Sequence, residues 1–560
     1  MIAPSLCHIE YTISTEGERP SEHSVYVPYH DFEAKESDQT HFVLHIEPTL
    51  EESDSQIQTG LRIVITPKEP LLVTSCRVLF TGGFAAYDKA LFNGYQSWTD
   101  TREVDMDSAQ RGLIGTPKPI IERFVLDGAG DYRFHRYTNK PGNLHGWTYA
   151  YFTSEHDLWM VASLEETNGL TLLEWVAAEG LNVMPETPAR ELAVGEETLL
   201  ADLFTIEISS PFEDCSQNEP KANALADIAM GIWLDKMGVA PHSDKLLTGY
   251  SSRYSHHDAI SEHIILDDLA NATAVFKTLD TTGFDCVFQI DEGYSLVGDW
   301  MSPPSEKFPC GLHFLASRIK EAGFIPGLWI APFVCERASS LFNAHPDWLM
   351  RDKTGEAIRT GGHWSGGIAL DTLNPEVRAY VTKCLRTIVE TWGFKMLKVD
   401  FLYAACMVPH KGMNRGELMR DALNLIRDAV GDDAIIDACG VPLASAFGIV
   451  DFCRVGCNVS LDWDSPLYMR IAERERVSTK NSLFNTIYRA PLDRRAFGND
   501  PDAILLRPDV KYTADQRDMV LYGAACHSSM LLTSDDVSTW TPENREKFQE
   551  ALTLMRANHR

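Results

Sequence analysis

The sequence predicts a multidomain protein in which an N-terminal antiparallel β-sandwich precedes a (β/α)8 TIM barrel. Two changes of texture along the chain carry this. Residues 1 to about 210 hold short runs rich in Val, Ile, Phe and Thr between turn residues, with no long helical pattern. From about residue 245, short apolar runs alternate with amphipathic stretches, as in a parallel sheet with helical crossovers. An open dinucleotide-binding sheet would show a Gly-rich phosphate loop after its first strand, and TGYSSRYSHH is not one.

In chain order, HFVLHIEPTL, IQTGLRIVITP, LLVTSCRVLF, WTYAYFTS, DLWMVASLE and ETLLADLFTIEIS read as sandwich strands. KANALADIAMGIWLDKMG then reads as a helix. The expected division is a sandwich over 1–220, a linker helix over 221–240 and a barrel over 241–560. The barrel runs are LLTGYS, CVFQID, IPGLWIAPF, MLKVD, AIIDACG, FCRVG and SSMLLTSDD, with one further strand expected within 486–505. HFLASRIKEAG, VRAYVTKCLRTIVETWG and RGELMRDALNLIRDAVG read as crossover helices, and PENREKFQEALTLMRANHR as a last helix.

Composition narrows the function. The 560 residues are 44% hydrophobic and 23% charged, an ordinary globular balance, and the formal net charge of −30 repels a polyanion, so no nucleic-acid partner is expected. The N-terminus lacks the basic and apolar regions of a signal peptide, and no 18-residue apolar run predicts a membrane span; a cytoplasmic location is the expectation. The 12 cysteines show no CxxC spacing, and Cys453 and Cys457 have no second pair of ligands nearby, so buried thiols are expected rather than a metal; no cofactor is expected either.

Catalytic groups of a barrel cluster at the C-terminal ends of its strands. Asp400 closes the run MLKV, and period-two geometry puts Lys398 on the same, inward face, where its ammonium would favour an ionised Asp400. An ionised carboxylate at a strand mouth can attack an anomeric carbon or activate water. Asp291 and Glu292 are adjacent acids suited to neighbouring hydroxyls. Trp329 ends an apolar strand, either as core or as a stacking face for a sugar ring. Cys439, Arg454 and Asn458 follow strand-like runs in the same way.

In order along the chain, NGYQSW, FQIDEGY, VGDW, GLWIAPF, HPDWLMRD, LKVDFLYAA, CGVPL, CRVG and GNDPDAILLR resemble glycoside hydrolase family 36, the retaining α-galactosidases of bacteria. The resemblance covers about residues 90–540 and implies an oligosaccharide substrate with a terminal α-galactosyl group. It implies Asp400 as nucleophile and Lys398, Asp291 and Glu292 as sugar ligands, with Trp98, Trp329, Cys439 and Arg454 around the sugar. It also implies a small C-terminal β-domain, which the final helix leads us to expect absent, and it is compatible with homo-oligomers.

Three departures stand out. The family's acid/base aspartate in R-x-x-x-D falls on Asn458, its Asp-Asp pair is Asp291-Glu292, and Arg253, before Tyr254, takes an aromatic position. Asn458 cannot donate a proton as a general acid. The alternatives are that Asp462 or Asp464 substitutes, that an original aspartate was replaced, or that the barrel binds sugar without turnover. A substitute would have to lie about 5–5.5 Å from the nucleophile. Glu292, one methylene longer than Asp, would crowd the C6 hydroxymethyl of galactose and favour a sugar lacking it, such as β-L-arabinopyranose. Arg253 would pair with Glu292 or meet an anionic group on a modified galactoside.

Overall fold

The structure, a computed structural model, describes residues 2–14, 19–29, 34–53, 56–209, 221–464 and 474–559. Cys215 and the expected boundary at residue 220 lie outside the described residues. Among them no helix is long and apolar enough to cross a membrane.

The N-terminal part is a sandwich of a six-stranded and an eight-stranded sheet, with antiparallel pairing throughout. Burial alternates along its strands, as in Gln56–Pro67, where Thr59, Leu61, Ile63 and Ile65 face inward and Arg62 outward. WTYAYFTS divides between the sheets. Asn143–Trp147 ends in the six-stranded sheet, Thr148 turns at φ 71°, and Tyr149–Thr153 starts in the eight-stranded one. The first two strands, Ala3–Ile13 and Ser21–Pro28, were not anticipated, because their polar residues obscure the alternation.

The barrel strands are β1 (Leu247–Ser251), β2 (Asp285–Ile290), β3 (Ile325–Ile330), β4 (Met396–Val399), β5 (Ile435–Ala438), β6 (Phe452–Arg454), β7 (Gly498–Asp500) and β8 (Met530–Thr533). They pair in parallel in chain order, β8 also pairs with β1, and an Ile504–Thr533 bridge draws β7 towards β8. The strand expected within 486–505 is β7, only three residues long. Gly249 admits a close approach inside β1, since a Cβ there would lie 1.9 Å from the Val287 carbonyl oxygen.

Period two stacks the interior in tiers. Val287, Met396, Ile435 and Phe452 form an apolar lower tier with Leu247 and Met530. Two residues on, the same strands carry Gln289, Lys398, Asp437 and Arg454, and two further come Asp291, Asp400 and Cys439. The alternation that closes the core therefore also lifts polar groups to the mouth.

Buried contacts join the two parts. Trp233, on the helix Lys221–Met237, donates its indole N–H to the Ser163 carbonyl at 2.8 Å and packs against Tyr149 and Phe447. Arg415 opens the helix Arg415–Val430; it pairs with Glu186 and lies 3.7 Å over the Phe134 ring and 4.9 Å over Trp147. Glu166, buried between sandwich strands, accepts from the Thr148 hydroxyl and the Thr171 N–H.

Two outcomes follow from these contacts. Arg415→Ala removes the partner of the Glu186 carboxylate and the contacts with Phe134 and Trp147, so it should cost about 3–5 kcal/mol, read as a lower urea midpoint. Burial raises the Glu166 carboxyl to about 8. The folded state thus keeps a proton that the unfolded chain releases, and stability is lost as pH rises from the ordinary carboxyl range through about 8. Glu166→Gln should flatten that slope in denaturation series; an unchanged slope would show the assignment wrong.

Candidate active site

A cavity of about 380 Å³ opens at the C-terminal mouth of the barrel. Asp291, Lys398, Asp400 and Asn458 line it from the barrel, and Trp98 and Ala129 close it from the N-terminal part. Trp98 arrives there because the barrel grips its segment. The guanidinium of Arg489, fully buried, donates to the Ser97 carbonyl at 2.7 Å, the Val455 carbonyl at 2.9 Å and the Asn93 Oδ1 at 3.0 Å. The Trp98 indole N–H donates to Cys439 Sγ at 3.0 Å, and its ring stands edge-on to Phe401.

Asp400 is held from two sides. The Trp329 indole N–H donates to Oδ2 at 2.9 Å, and the Phe401 N–H donates to Oδ1 at 2.9 Å. Phe401 itself stands at φ 55°, a left-handed conformation that a bulky residue rarely adopts. The expected ammonium partner differs. Lys398 Nζ turns to Asp291 Oδ2 at 3.4 Å, because that carboxylate, at the end of β2 and across β3, is 1% exposed and needs compensating charge.

The adjacent acids are pushed in opposite directions. Burial alone would raise Asp291, but Lys398 and Arg253 outweigh it and hold the carboxyl below its ordinary value. Burial raises Glu292 above its ordinary value despite its pairing with the Arg253 guanidinium. Asp291 also accepts from Gln289 at 2.8 Å, and its N–H donates to Ser252 Oγ at 2.9 Å, so it is no solvated loop residue.

Beneath the cavity lies a charged tier. Arg454, 1% exposed, meets Asp502 Oδ2 at 2.6 Å, and that carboxylate also accepts from the Tyr254 hydroxyl and, at 2.9 Å, from the Val459 N–H. Asp437, opposite Lys398 in the β4–β5 register, is raised well above the usual range by burial and by Asp500. That shift favours the neutral form of Asp437, which limits the negative charge of this tier.

Asn458 faces the cavity and its Oδ1 accepts from Arg454 Nη2 at 2.9 Å. The guanidinium thus orients the carboxamide just as it would a carboxylate. Asp462 and Asp464 are placed elsewhere: Asp462 pairs with Lys511 at 3.1 Å, and Asp464 with Arg476 at 3.1 Å and Ser478 Oγ at 3.0 Å. Neither lines the cavity.

The structure thus brings Trp98, Arg253, Tyr254, Asp291, Glu292, Lys398, Asp400 and Asn458 together around one cavity. Trp329, Cys439 and Arg454 stand one layer behind, each bonded to a lining residue. Of the two readings of Trp329, core describes its position: it is 2% exposed and packed against Trp300 and Trp364. Sequence reasoning missed His363, Trp364 and Glu475, all on the cavity wall. GGHW starts at the end of the short strand Arg359–Gly361, outside the barrel sheet, and Glu475 lies in the loop before the helix Thr479–Tyr488; neither carries a spacing signal. Cys453 and Cys457 are buried, and no group of three or more potential metal-binding side chains is found among the described residues.

Comparison with known proteins places this geometry in a family context. The family model described as Melibiase matches residues 242–421, which include β1 to β4 and Asp400. An α-galactosidase of Escherichia coli is 32% identical over 133 residues, 22% of this chain and 18% of that protein. α-Galactosidase AgaA of Geobacillus stearothermophilus is 26% identical over 110 residues, 20% of this chain and 14% of that protein. The alignments thus span under a fifth of the length of these curated relatives. Structural likeness extends further. The Thermus thermophilus α-galactosidase TtGalA, solved with p-nitrophenyl α-D-galactopyranoside, superposes with a TM-score of 0.69 at 24% identity over 92% of this chain and 94% of that one. AgaA, of glycoside hydrolase family 36, gives 0.59 at 12% identity over 93% and 68%. Fold, local sequence similarity and motif order agree, and the chain resembles the glycoside hydrolase family 36 α-galactosidases.

Proposed function

We propose that this chain is a retaining glycoside hydrolase that removes terminal α-galactosyl or closely related groups from oligosaccharides. The observation that carries the reading is Asp400. It lies in a cavity of sugar-ring size at a barrel-strand mouth, with each oxygen accepting one N–H donor, so that its lone pairs are aimed. In this reading Asp400 attacks the anomeric carbon as the glycosidic oxygen departs, and water then hydrolyses the glycosyl-enzyme. Asp291 and Lys398, an ionised pair on the cavity wall, receive ring hydroxyls. Solved relatives support the substrate class: TtGalA has been captured with p-nitrophenyl α-D-galactopyranoside and with stachyose. Asp400→Ala should abolish turnover of an aryl α-galactoside even with an activated leaving group. Activity surviving in that variant would sink the reading.

Glu292 refines the glycone. Its carboxylate is drawn to Arg253 across the cavity wall, which crowds the space a C6 hydroxymethyl would fill. Glu292→Asp should therefore shift the ratio of kcat/KM for aryl α-galactoside over aryl β-L-arabinopyranoside towards galactoside. An unmoved ratio would remove Glu292 from the specificity argument.

Asn458 favours a second reading, a barrel that binds galactosides without turnover. The two readings part on Asn458→Asp. Placing a carboxyl beside Arg454 should raise turnover of unactivated galactosides, towards the roughly 10²–10⁴-fold worth of general acid/base help, if Asn458 is a disabled acid/base; an already active parent that gains nothing is a hydrolase whose proton donor is another residue. A sugar-binding barrel would show galactoside binding by calorimetry and no hydrolysis in either form.

A further inference from the structure

The wall that carries Asn458 continues into a second acid. The Ser478 N–H donates to the Asn458 carbonyl at 3.3 Å, and the Cys457 thiol donates to the Ser478 carbonyl at 3.3 Å, so the segment 474–478 is stitched to the end of β6. Burial alternates along it: Arg474, Arg476 and Ser478 are buried, whereas Glu475 and Val477 line the cavity. Four other acids line the same cavity. Asp291 and Glu292 are tied to Lys398 and Arg253, Asp400 is held by its two N–H donors, and Asp258 is exposed. Glu475 alone among these five has its carboxylate oxygens held by hydroxyls. Tyr132 donates its phenol to Oε2, and Thr99 its hydroxyl to Oε1 at 3.2 Å.

We propose that Glu475 is the proton donor and acceptor of this cavity, doing the work for which Asn458 has no proton. The inference rests on the double-displacement reading above. In the first step the anomeric carbon–oxygen bond breaks as the bond to an Asp400 oxygen forms. The Glu475 carboxyl proton passes, directly or through one water, to the departing oxygen. In the second step the Glu475 carboxylate takes a proton from water as the water oxygen bonds to the anomeric carbon, and Asp400 leaves as a carboxylate.

The surroundings suit a group that must hold both states. Hydroxyls rotate and both donate and accept, so the Tyr132 and Thr99 shell satisfies Glu475 charged or neutral. A guanidinium or ammonium shell would favour only the charged form. Gly130 makes the room, since a Cβ there would lie 2.8 Å from the Glu475 Cδ. Burial and then the Asp131 carboxylate raise the Glu475 carboxyl to about 7, against the Arg474 guanidinium and the two hydroxyl hydrogen bonds. The phenols of Tyr132 and Tyr137 also face it and are themselves raised well above their ordinary range, so they stay neutral. An acid/base group near the working pH is what proton transfer in both directions requires.

Glu475→Gln keeps the side-chain size and tests the inference. Turnover of stachyose should fall about 10²–10⁴-fold, while kcat/KM for 2,4-dinitrophenyl α-galactoside, whose leaving group needs no proton, should change little. Azide, a nucleophile that needs no base, should raise kcat of the variant on the dinitrophenyl substrate and give galactosyl azide. The alkaline limb of the wild-type kcat/KM profile, expected near pH 7, should disappear. An equal loss on both substrates without azide rescue would mark Glu475 as structural and overturn the inference, as would unchanged stachyose turnover. Wild-type protein inert towards both substrates, or Asp400→Ala still active, would instead overturn the double-displacement reading and the inference with it.

Discussion

The site depends on one buried cation. Arg489 spans the junction between sandwich and barrel and satisfies carbonyls and an amide oxygen from both. Burial lowers its guanidinium to about 10, which still leaves it charged at neutral pH, and these oxygens satisfy its buried donors. Any slippage of the sandwich would leave buried carbonyls and a buried charge unpaired. That constraint positions Asn93 to Trp98 as a wall of the barrel mouth, and the Arg415 stack over Phe134 and Trp147 repeats it on another side. The cavity is therefore a property of both domains together.

Within the barrel, strand periodicity sorts the chemistry by height. The lower tier is apolar and needs no partners. The tier above mixes Lys398 and Arg454 with Asp437, Asp500 and Asp502, and burial at this level forces charges to pair or neutralise. Lys398 is consumed by Asp291 and Arg454 by Asp502, while burial and Asp500 push the Asp437 carboxyl up. The top tier inherits the result: carboxylates whose partners are fixed from below and whose free edges face the cavity.

Held this way, the acids of the cavity are chemically distinct. Asp291 is held low by cations, Glu292 and Glu475 are raised by burial, and Asp400 is oriented by an indole and a backbone N–H. Divergent environments for neighbouring carboxyls are how one pocket supplies acid, base and nucleophile at a single pH. Asn458 sits among them as a neutral acceptor for Arg454, which leaves the proton inventory of its wall to Glu475.

The sequence by itself determined the fold class and much of the strand-end chemistry. Both follow from local rules. Alternation marks the strands, βα repetition implies a parallel barrel, and polar residues ending apolar runs, such as Asp400 in MLKVD and Asp291 in FQIDEGY, mark a barrel's mouth. Even the placing of Lys398 and Asp400 on one inward face was legible, because period two is exact for a strand. Only the tertiary structure decided which partner each charge takes. Lys398 turned to Asp291 across a strand, Trp329 went behind Asp400 rather than in front of it, and Asp462 and Asp464 were drawn off by Lys511 and Arg476. Glu475 and His363 were invisible beforehand, since loops carry no periodicity. Glu475 takes its place on the wall from contacts with residues hundreds of positions away, Thr99 and Tyr132, and His363 packs against Phe401 from the next barrel strand's end. Local pattern can say which face a side chain takes; the field and donors it meets there come from whatever else the fold brings to that point.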